Sequence, residues 1–377
     1  MKILVNCIAF HAGGTRTVGL NLVKAMGTRD KADSFIVLAP KRAGFEELAR
    51  DNIQVITFPR RWYYYLWRIW FDQIYLPFFC WSRKIDIFLN LNNIPTRIVS
   101  SPQYLMLQQA NLVSKDLGGN SLKELILFII SRLFFSWGNR SVVAFIVQSP
   151  VVAKNLHTRY GVPENKIRVM TGGFEEDRED QPEDEELKKL FAAQKFPVLC
   201  LSRYYPQKNL EIFLKVAKLI REKGLPTTIF LNITADQHPG ARKLLDDIGA
   251  CKLEKIIINL GFLAGKKQVV TAYRRAALFV LPTLLESFSM TYLEAMRYGC
   301  PIATSDRDFA HYACGDSAIY FDPHSAEAIL NAIEKVRLDP CLRNELVRKE
   351  QEQLKKNFKD WDELAKDYLE LIKSGSV

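Results

Sequence analysis

The chain has 377 residues, of which 48% are hydrophobic, 25% charged and 11% aromatic, with a formal net charge of +10. A single hydrophobic core stops growing near roughly 250–300 residues, so two domains are expected, and this composition excludes a disordered, collagenous or low-complexity chain. No run approaches the about 20 apolar residues of a membrane span, and the longest apolar stretch is interrupted by Lys123, Glu124 and Arg132.

The strands and helices expected in the first half alternate. Candidate strands are 2–9, 34–40, 53–58, 86–91, 103–108, 142–148 and 167–170, with helical patterns at 17–26 and 149–159 among them. Near-continuous apolar strands separated by helices point to a parallel sheet covered on both faces. Gly172-Gly173 then leads into an acidic run, 174–186, read as a solvated linker and the start of a surface helix. Beyond Pro197 the alternation resumes: strands 198–202, 227–233, 256–260, 278–282, 301–304 and 318–321, with helices 209–222, 268–275, 289–298 and 325–336. The last segment, 340–373, reads as helical, with Trp361, Leu364, Tyr368, Leu369 and Ile372 at helical spacing. Two doubly wound domains bind ligands at the carboxyl ends of their strands, in a cleft between them.

The charge is unevenly distributed. Residues 1–173 hold 22 Lys/Arg against 10 Asp/Glu, a net of +12, and residues 174–377 carry a net of −2. Such a chain has one half suited to an anionic partner; a nucleic-acid binder would spread the charge and carry a recognition motif, and none is found. The chain opens on Ile3-Leu4-Val5, so neither a signal nor a transit peptide is expected. Its seven cysteines are odd in number, scattered and never form CxxC, the pattern of reduced thiols in a cytoplasmic protein. The five histidines (11, 157, 238, 311, 324) lack ligand spacing, so no metal is expected.

The sharpest feature is LFVLPTLLESFSMTYLEAMRYGCPIAT, 278–304. A buried strand ends at Pro282, a loop carries Glu286, a helix starts near Ser289, Gly299 takes its C-terminal position and Pro301 opens the next strand. The backbone N–H groups of Ser287, Phe288, Ser289, Met290 and Thr291 suit an anion at the helix N-terminus. Glu286 and Glu294, eight residues apart, suit the paired hydroxyls of a sugar and a ribose on either side of a phosphate. Taken alone they read as a local cap and a surface residue. A second feature is LCLSRYYPQKNLEIFL, 199–214, where Arg203 and Lys208 flank a turn at Pro206 and Asn209 is read as a helix cap. These cations suit a diphosphate, or are ordinary surface charge. The glycine turn IAFHAGGTRTVGLNLV, 8–23, has neither the Lys-Ser/Thr of a P-loop nor G-x-G-x-x-G, which leaves the Gly13-Gly14 backbone to approach a ligand.

With these residues on the page, the chain resembles retaining glycosyltransferases of the GT-B fold, family 4, which includes enzymes of bacterial lipopolysaccharide, capsule and phosphatidylinositol mannoside synthesis. The matches are Gly13-Gly14, Ser149 after FIVQ, YGVPENKIRVM (160–170), Arg203 and Lys208, NLGF (259–262), PTLLESFSMTYLEAMRYGCPI (282–302) and a terminal helix with Trp361. The fold class implied is α/β, GT-B, with two Rossmann-like doubly wound domains facing across a cleft. Residues 1–171 would be an acceptor-binding domain, 172–357 a donor-binding domain, and 358–377 a helix packing back on the first. The resemblance implies that Arg203 and Lys208 hold the donor diphosphate, Glu286 the donor sugar, Glu294 the ribose, and Gly261-Phe262 the base. It implies no cofactor, only a nucleoside-diphosphate sugar as co-substrate, and a saccharide or polyprenyl-diphosphate-linked acceptor.

Where many relatives carry a histidine near the reacting sugar, this chain reads LQQANL (107–112), with Gln109 the counterpart and His11 the substitute imidazole; Ser289 stands where glycine is common. Asp306-Arg307-Asp308 spells the metal-binding DxD of a different glycosyltransferase fold and is read here as a loop. The implied reaction has Arg203, Lys208 and the helix at 289 stabilising the departing diphosphate while the acceptor attacks from the same face. A donor phosphate oxygen takes the proton, so no metal and no enzymatic base are needed. Residues 59–84, rich in Trp and Tyr and interleaved with Arg60, Arg61, Arg68, Arg83 and Lys84, are read as part core and part contact with the anionic inner face of the cytoplasmic membrane. The rival readings are an epimerase-type enzyme or a non-catalytic sugar-nucleotide-binding protein on the same fold.

Overall fold

The computed structural model describes residues 1–59, 64–114, 122–175 and 182–375, with 64–66 and 122–124 described by backbone alone. The chain divides into two compact units, one of Met1–Glu175 with Lys359–Val377 and one of Glu176–Phe358.

The first unit is built on a seven-stranded sheet: β1 (Lys2–Asn6), β2 (Ser34–Pro40), β3 (Ile53–Phe58), β4 (Ile87–Asn90), β5 (Gln103–Leu107), β6 (Val142–Val147) and β7 (Ile167–Val169). Every pairing is parallel and the spatial order is β3-β2-β1-β4-β5-β6-β7. The sequence order reverses between β1 and β4, the point at which such sheets open a crevice at their strand ends. Ile3, Leu4 and Val5 are fully buried, as strands covered on both faces require. The helix Trp361–Ser374 returns to this unit. It lies against the helix Gly13–Arg29, where Arg29 pairs with Asp362, Lys373 with Asp30 and Asp33, and the Tyr368 hydroxyl meets Met106 Sδ at 3.6 Å.

The second unit carries β8 (Phe196–Cys200), β9 (Thr227–Leu231), β10 (Ile257–Asn259), β11 (Leu278–Leu281), β12 (Ile302–Ser305) and β13 (Ala318–Phe321). All are parallel, in the order β10-β9-β8-β11-β12-β13. Its reversal falls between β8 and β11.

Several expectations are corrected. The segment 340–373 is two helices, Pro340–Asn357 and Trp361–Ser374, because Asp360 caps the second by accepting from Glu363 N–H at 2.7 Å. Phe358 belongs to the second unit, against Phe288. The first helix begins at Gly13, four residues before the expected start, and Gly13 enters it at φ 72°, a left-handed conformation open to glycine. Helices Leu122–Gly138, Pro239–Ala250 and Asp308–Cys314 were not anticipated. Part of the acidic run, 176–181, lies outside the described residues, and the described remainder leads into a helix, Glu185–Ala192, capped by Asp184.

Residues 64–83 form one continuous helical segment with a π-helical centre, Phe71–Tyr75. Trp67, Phe71, Leu76, Phe79 and Cys80 join a core cluster with Leu4, Leu38 and Phe88. Arg68 does not face outward as expected: it pairs at 2.6 Å with the buried Asp72, whose carboxyl burial raises to about 6 against the lowering pull of Arg68. Arg60 and Arg61 lie outside the described residues.

Candidate active site

In the second unit the loops that follow β8 and β11 flank the strand reversal and are laced together through their backbones. Leu284 N–H and the Thr283 hydroxyl both donate to the Gln207 carbonyl, at 2.7 and 3.1 Å. Asn209 takes φ 55° and its amide donates to the carbonyls of Pro323 (2.7 Å) and Pro282 (3.3 Å). This corrects its reading as a helix cap: the following helix starts at Ile212, and Asn209 instead fastens the β8 loop to the ends of β11 and β13.

That lacing fixes Lys208 opposite Glu286. The Lys208 ammonium donates to Glu286 Oε1, which also accepts from the Thr283 hydroxyl at 3.1 Å. Only 14% of the lysine side chain and 12% of the glutamate remain exposed, so the pair is largely screened from water. An ammonium has three N–H donors, so one spent on Glu286 leaves two for another anion. Arg203 is exposed on the same loop, and its charge helps to hold the Asp236 carboxyl below its ordinary range, after the Thr234 hydrogen bond that is the main cause.

The helix Met290–Tyr298 begins just beyond. Ser289 occupies the cap position, but its hydroxyl bonds to the Thr291 hydroxyl at 2.9 Å instead of capping a backbone N–H. Gly299 closes the helix in the left-handed conformation, φ 68°, with its N–H on the Ala295 and Met296 carbonyls, as its spacing from Pro301 anticipates. Glu294 sits one turn inside and accepts from the Tyr273 hydroxyl at 2.9 Å. Burial first, then the Glu294 carboxylate, push the Tyr273 phenol well above its ordinary value, so it remains a donor. Tyr273 went unnoticed in the sequence because it lies 21 residues from Glu294 on another helix.

The other expected donor-site residues divide. Ser287 and Ser289 are buried beside Glu286, and Met290 and Thr291 form the half-buried first turn. The Phe288 ring packs at 5.6 Å from Phe358 and 6.5 Å from Tyr312, so this side chain serves the core. Gly261 (φ 67°) and Phe262 lie beyond the edge strand β10, two strands from β8, with Phe262 74% exposed.

In the first unit, His11, Gly13 and Gly14 follow β1, and Gln109 follows β5. Open space surrounds Gly14, and His11 N–H bonds to the Ala9 carbonyl at 3.0 Å. An asparagine cluster at the end of β4 organises this crevice. Asn92 Oδ1 accepts from Ala9 N–H (3.0 Å), Asn6 donates to Asn90 (3.2 Å), and Asn93 Oδ1 accepts from Gln108 and Gln109 N–H (2.5 and 2.9 Å). The cluster's signal in the sequence is the run Leu89–Asn93, polar residues ending an apolar strand.

Asp306 and Asp308 have separate settings: Asp306 bonds His311 Nε2 at 2.7 Å, whereas Asp308 opens a helix, where a plain loop was expected. Among the described residues no group of three or more His, Cys, Asp or Glu is arranged to hold a metal. Among the described residues the cysteines are free thiols, and burial pushes those of Cys80 and Cys200 up to about 12.

Residues 181–361 match the family model described as glycosyl transferases group 1. The serotype-specific mannosyltransferase WbdA of Escherichia coli is 26% identical over 152 residues, 40% of this chain and 18% of WbdA. Mannosylfructose-phosphate synthase of Agrobacterium fabrum is 24% identical over 198 residues, 50% of this chain and 43% of that protein. The chain thus spans less than half the length of these curated relatives. Over 99% of its length it superposes on HepE of Anabaena, solved with UDP and glucose, covering all of that chain with a TM-score of 0.75 at 17% identity. It also superposes on WaaG, a glycosyltransferase involved in lipopolysaccharide biosynthesis, with a TM-score of 0.68 at 12% identity and 99% of both chains covered. The fold is GT-B, with its two parallel sheets of seven and six strands.

Proposed function

We propose that the protein is a retaining glycosyltransferase that moves a hexose from a nucleoside-diphosphate sugar to a saccharide or lipid-linked acceptor in cell-surface polysaccharide synthesis. The observation that carries this reading is the Lys208–Glu286 pair, held by the laced loops at the strand reversal of the second unit and adjoining a helix N-terminus. The match of residues 181–361 to glycosyl transferases group 1, the resemblance to WbdA and the UDP and glucose bound by HepE support the same chemistry.

In this reading the two remaining Lys208 donors, Arg203 and the first-turn N–H groups of the helix Met290–Tyr298 meet the diphosphate, whose charge rises as the sugar departs. Glu286 orients Lys208 and accepts hydrogen bonds from the sugar hydroxyls. Glu294, steadied by Tyr273, accepts from the ribose hydroxyls. The acceptor hydroxyl attacks from the leaving-group face and passes its proton to a phosphate oxygen of the departing diphosphate, without a metal or a protein base. His11, Gly13, Gly14 and Gln109 line the acceptor side. The basic first half draws the protein to an anionic membrane face where a lipid-linked acceptor resides.

A thermal-shift panel with UDP, GDP, dTDP, CDP and ADP, on the wild type and on Glu294→Ala, tests the reading. A nucleotide at about 100 times its dissociation constant adds roughly 2.7 kcal/mol of stability. One nucleotide should raise the wild-type melting temperature and fail with the variant; no response to any of the five would overturn the donor site.

A further inference from the structure

Two helices of the first unit carry apolar residues on the outside at helical spacing. On the segment Tyr64–Arg83 these are Trp70, Ile74, Phe78 and Trp81, the last 69% exposed. On the helix Leu122–Gly138 they are Ile126, Ile129, Leu133 and Trp137, the last 65% exposed. In a water-facing helix these positions are ordinarily polar. Each helix is anchored by its opposite face. Phe135 packs on Phe145 and Tyr160, and Arg132 donates to the Asn111 and Ser114 carbonyls.

The two stripes are joined by the loop after β4. Gln73 of the first helix donates to the Pro95 carbonyl at 3.0 Å and accepts from Arg97 N–H at 3.1 Å. Pro95 lies against Gly138, where even a Cβ would meet its ring at 2.6 Å, and the Arg97 guanidinium sits 5.7 Å from the Trp137 ring centre. Exposed Ile98 extends the surface between them. These contacts bring the two apolar stripes together around Ile98, and exposed apolar residues grouped in this way mark an interaction surface.

Its charge selects the occupant. Arg83, Lys84, Arg97 and Arg140 are exposed along its margins. Among the described side chains of the two helices the one acid is Asp72, buried and neutralised by Arg68. A second copy of the same face would bring these cations together, whereas an anionic bilayer complements them, with tryptophans at the headgroup level. No described helix is long and apolar enough to cross a membrane, so the contact is with one leaflet.

We propose that the outer faces of helices Tyr64–Arg83 and Leu122–Gly138 form a single membrane-docking surface that inserts shallowly into an anionic leaflet. This deepens the membrane attachment in the proposed function and rests on it, adding a helix and a joined surface that the basic-aromatic run 59–84 does not contain.

The test is flotation of the full chain with phosphatidylcholine vesicles and with phosphatidylcholine–phosphatidylglycerol vesicles. The wild type should float with the anionic vesicles only. Leu133→Ser/Trp137→Ser and Phe78→Ser/Trp81→Ser should each lower partitioning by roughly tenfold or more, with the nucleotide-induced thermal shift unchanged. Brominated acyl chains should quench the wild-type tryptophan fluorescence, a readout that needs no substitution. A wild type that neither floats nor is quenched overturns the proposal together with membrane attachment. A wild type that floats while Leu133→Ser/Trp137→Ser floats equally well overturns the two-helix surface alone. Self-association abolished by the substitutions, without flotation, would assign the face to a second copy and overturn the bilayer.

Discussion

Lys208 and Glu286 face each other across the strand reversal of the second unit, 78 residues apart in the chain and bonded directly. A largely buried ion pair is weak evidence for stability, because removing two charges from water offsets much of their attraction. In the function proposed above, its position beside a helix N-terminus gives it a different use, a cation fixed in direction before the ligand arrives. Lys208→Met should therefore lower turnover by roughly 10²–10³-fold, the loss typical of deleting one electrostatic donor at a reacting group. Glu286→Gln keeps the shape of the side chain but frees the ammonium, and should lower turnover while preserving the nucleotide-induced thermal shift. Measured rates of sugar transfer within threefold of wild type for both variants would remove the pair from the mechanism.

The Tyr273–Glu294 bond makes a subtler case. Tyr273 is fully buried and its phenol is held protonated, so it can steady the carboxylate without competing for a ligand. Tyr273→Phe should cost about 1.5–3 kcal/mol of stability, the net worth of a hydrogen bond to a charged group. It should also weaken nucleotide binding, raising the donor KM more than it lowers kcat. Calorimetric titration checks this: an unchanged nucleotide affinity would leave Tyr273 as a packing residue.

How far the sequence carried depends on where each signal lay. The strands were legible because parallel strands buried on both faces are short, near-continuous apolar runs, and Gly299 was legible because only a few residues end a helix in the left-handed conformation. Asn209 misled because a polar residue before an apolar period looks like a cap whether its amide turns to the helix or to distant carbonyls, and the Pro323 partner lies 114 residues away. The break at Asp360 was hidden by helical spacing on both sides of it. The aromatic-basic run 59–84 already signalled a face divided between core and contact surface, but the outer face of the helix at 122–138 was hidden, because an apolar residue in the sequence is read as core until the fold shows which side is covered.

Phe288 and Phe262 separate packing from recognition. Phe288 is nearly buried against Phe358 and Tyr312, so Phe288→Ala should lower stability by about 3–5 kcal/mol, the range for a truncated core phenylalanine. Phe262 is exposed, and Phe262→Ala should change stability by no more than about 0.5 kcal/mol. If Phe262 stacks on the donor base, its loss should still weaken nucleotide binding several-fold. Denaturant melts and titrations of both variants decide; an undiminished affinity in Phe262→Ala would withdraw the base contact.

The terminal helix is fastened to the first unit by charge as well as by packing. Asp33 is buried, which by itself raises its carboxyl, but hydrogen bonds from Lys373 and the Met1 ammonium outweigh that and hold it at about 2. For Lys373 burial lowers the ammonium, and Asp30 and Asp33 more than restore it, so its net shift is upward. A depressed carboxyl contributes stability that is present above its unfolded value near 3.9 and is lost as pH falls through about 2. A raised ammonium contributes stability that is complete below its unfolded value near 10.4 and is lost as pH rises through its folded one. Lys373→Met should therefore melt about 2–4 °C below the wild type at pH 7, with the gap narrowing below pH 4 and again above pH 10. Hydrogen exchange at Trp361–Ser374 should follow the same course, faster in the variant at neutral pH and alike at the acid limit. A melting difference constant from pH 7 to pH 2 would show that the helix is held by its apolar face alone.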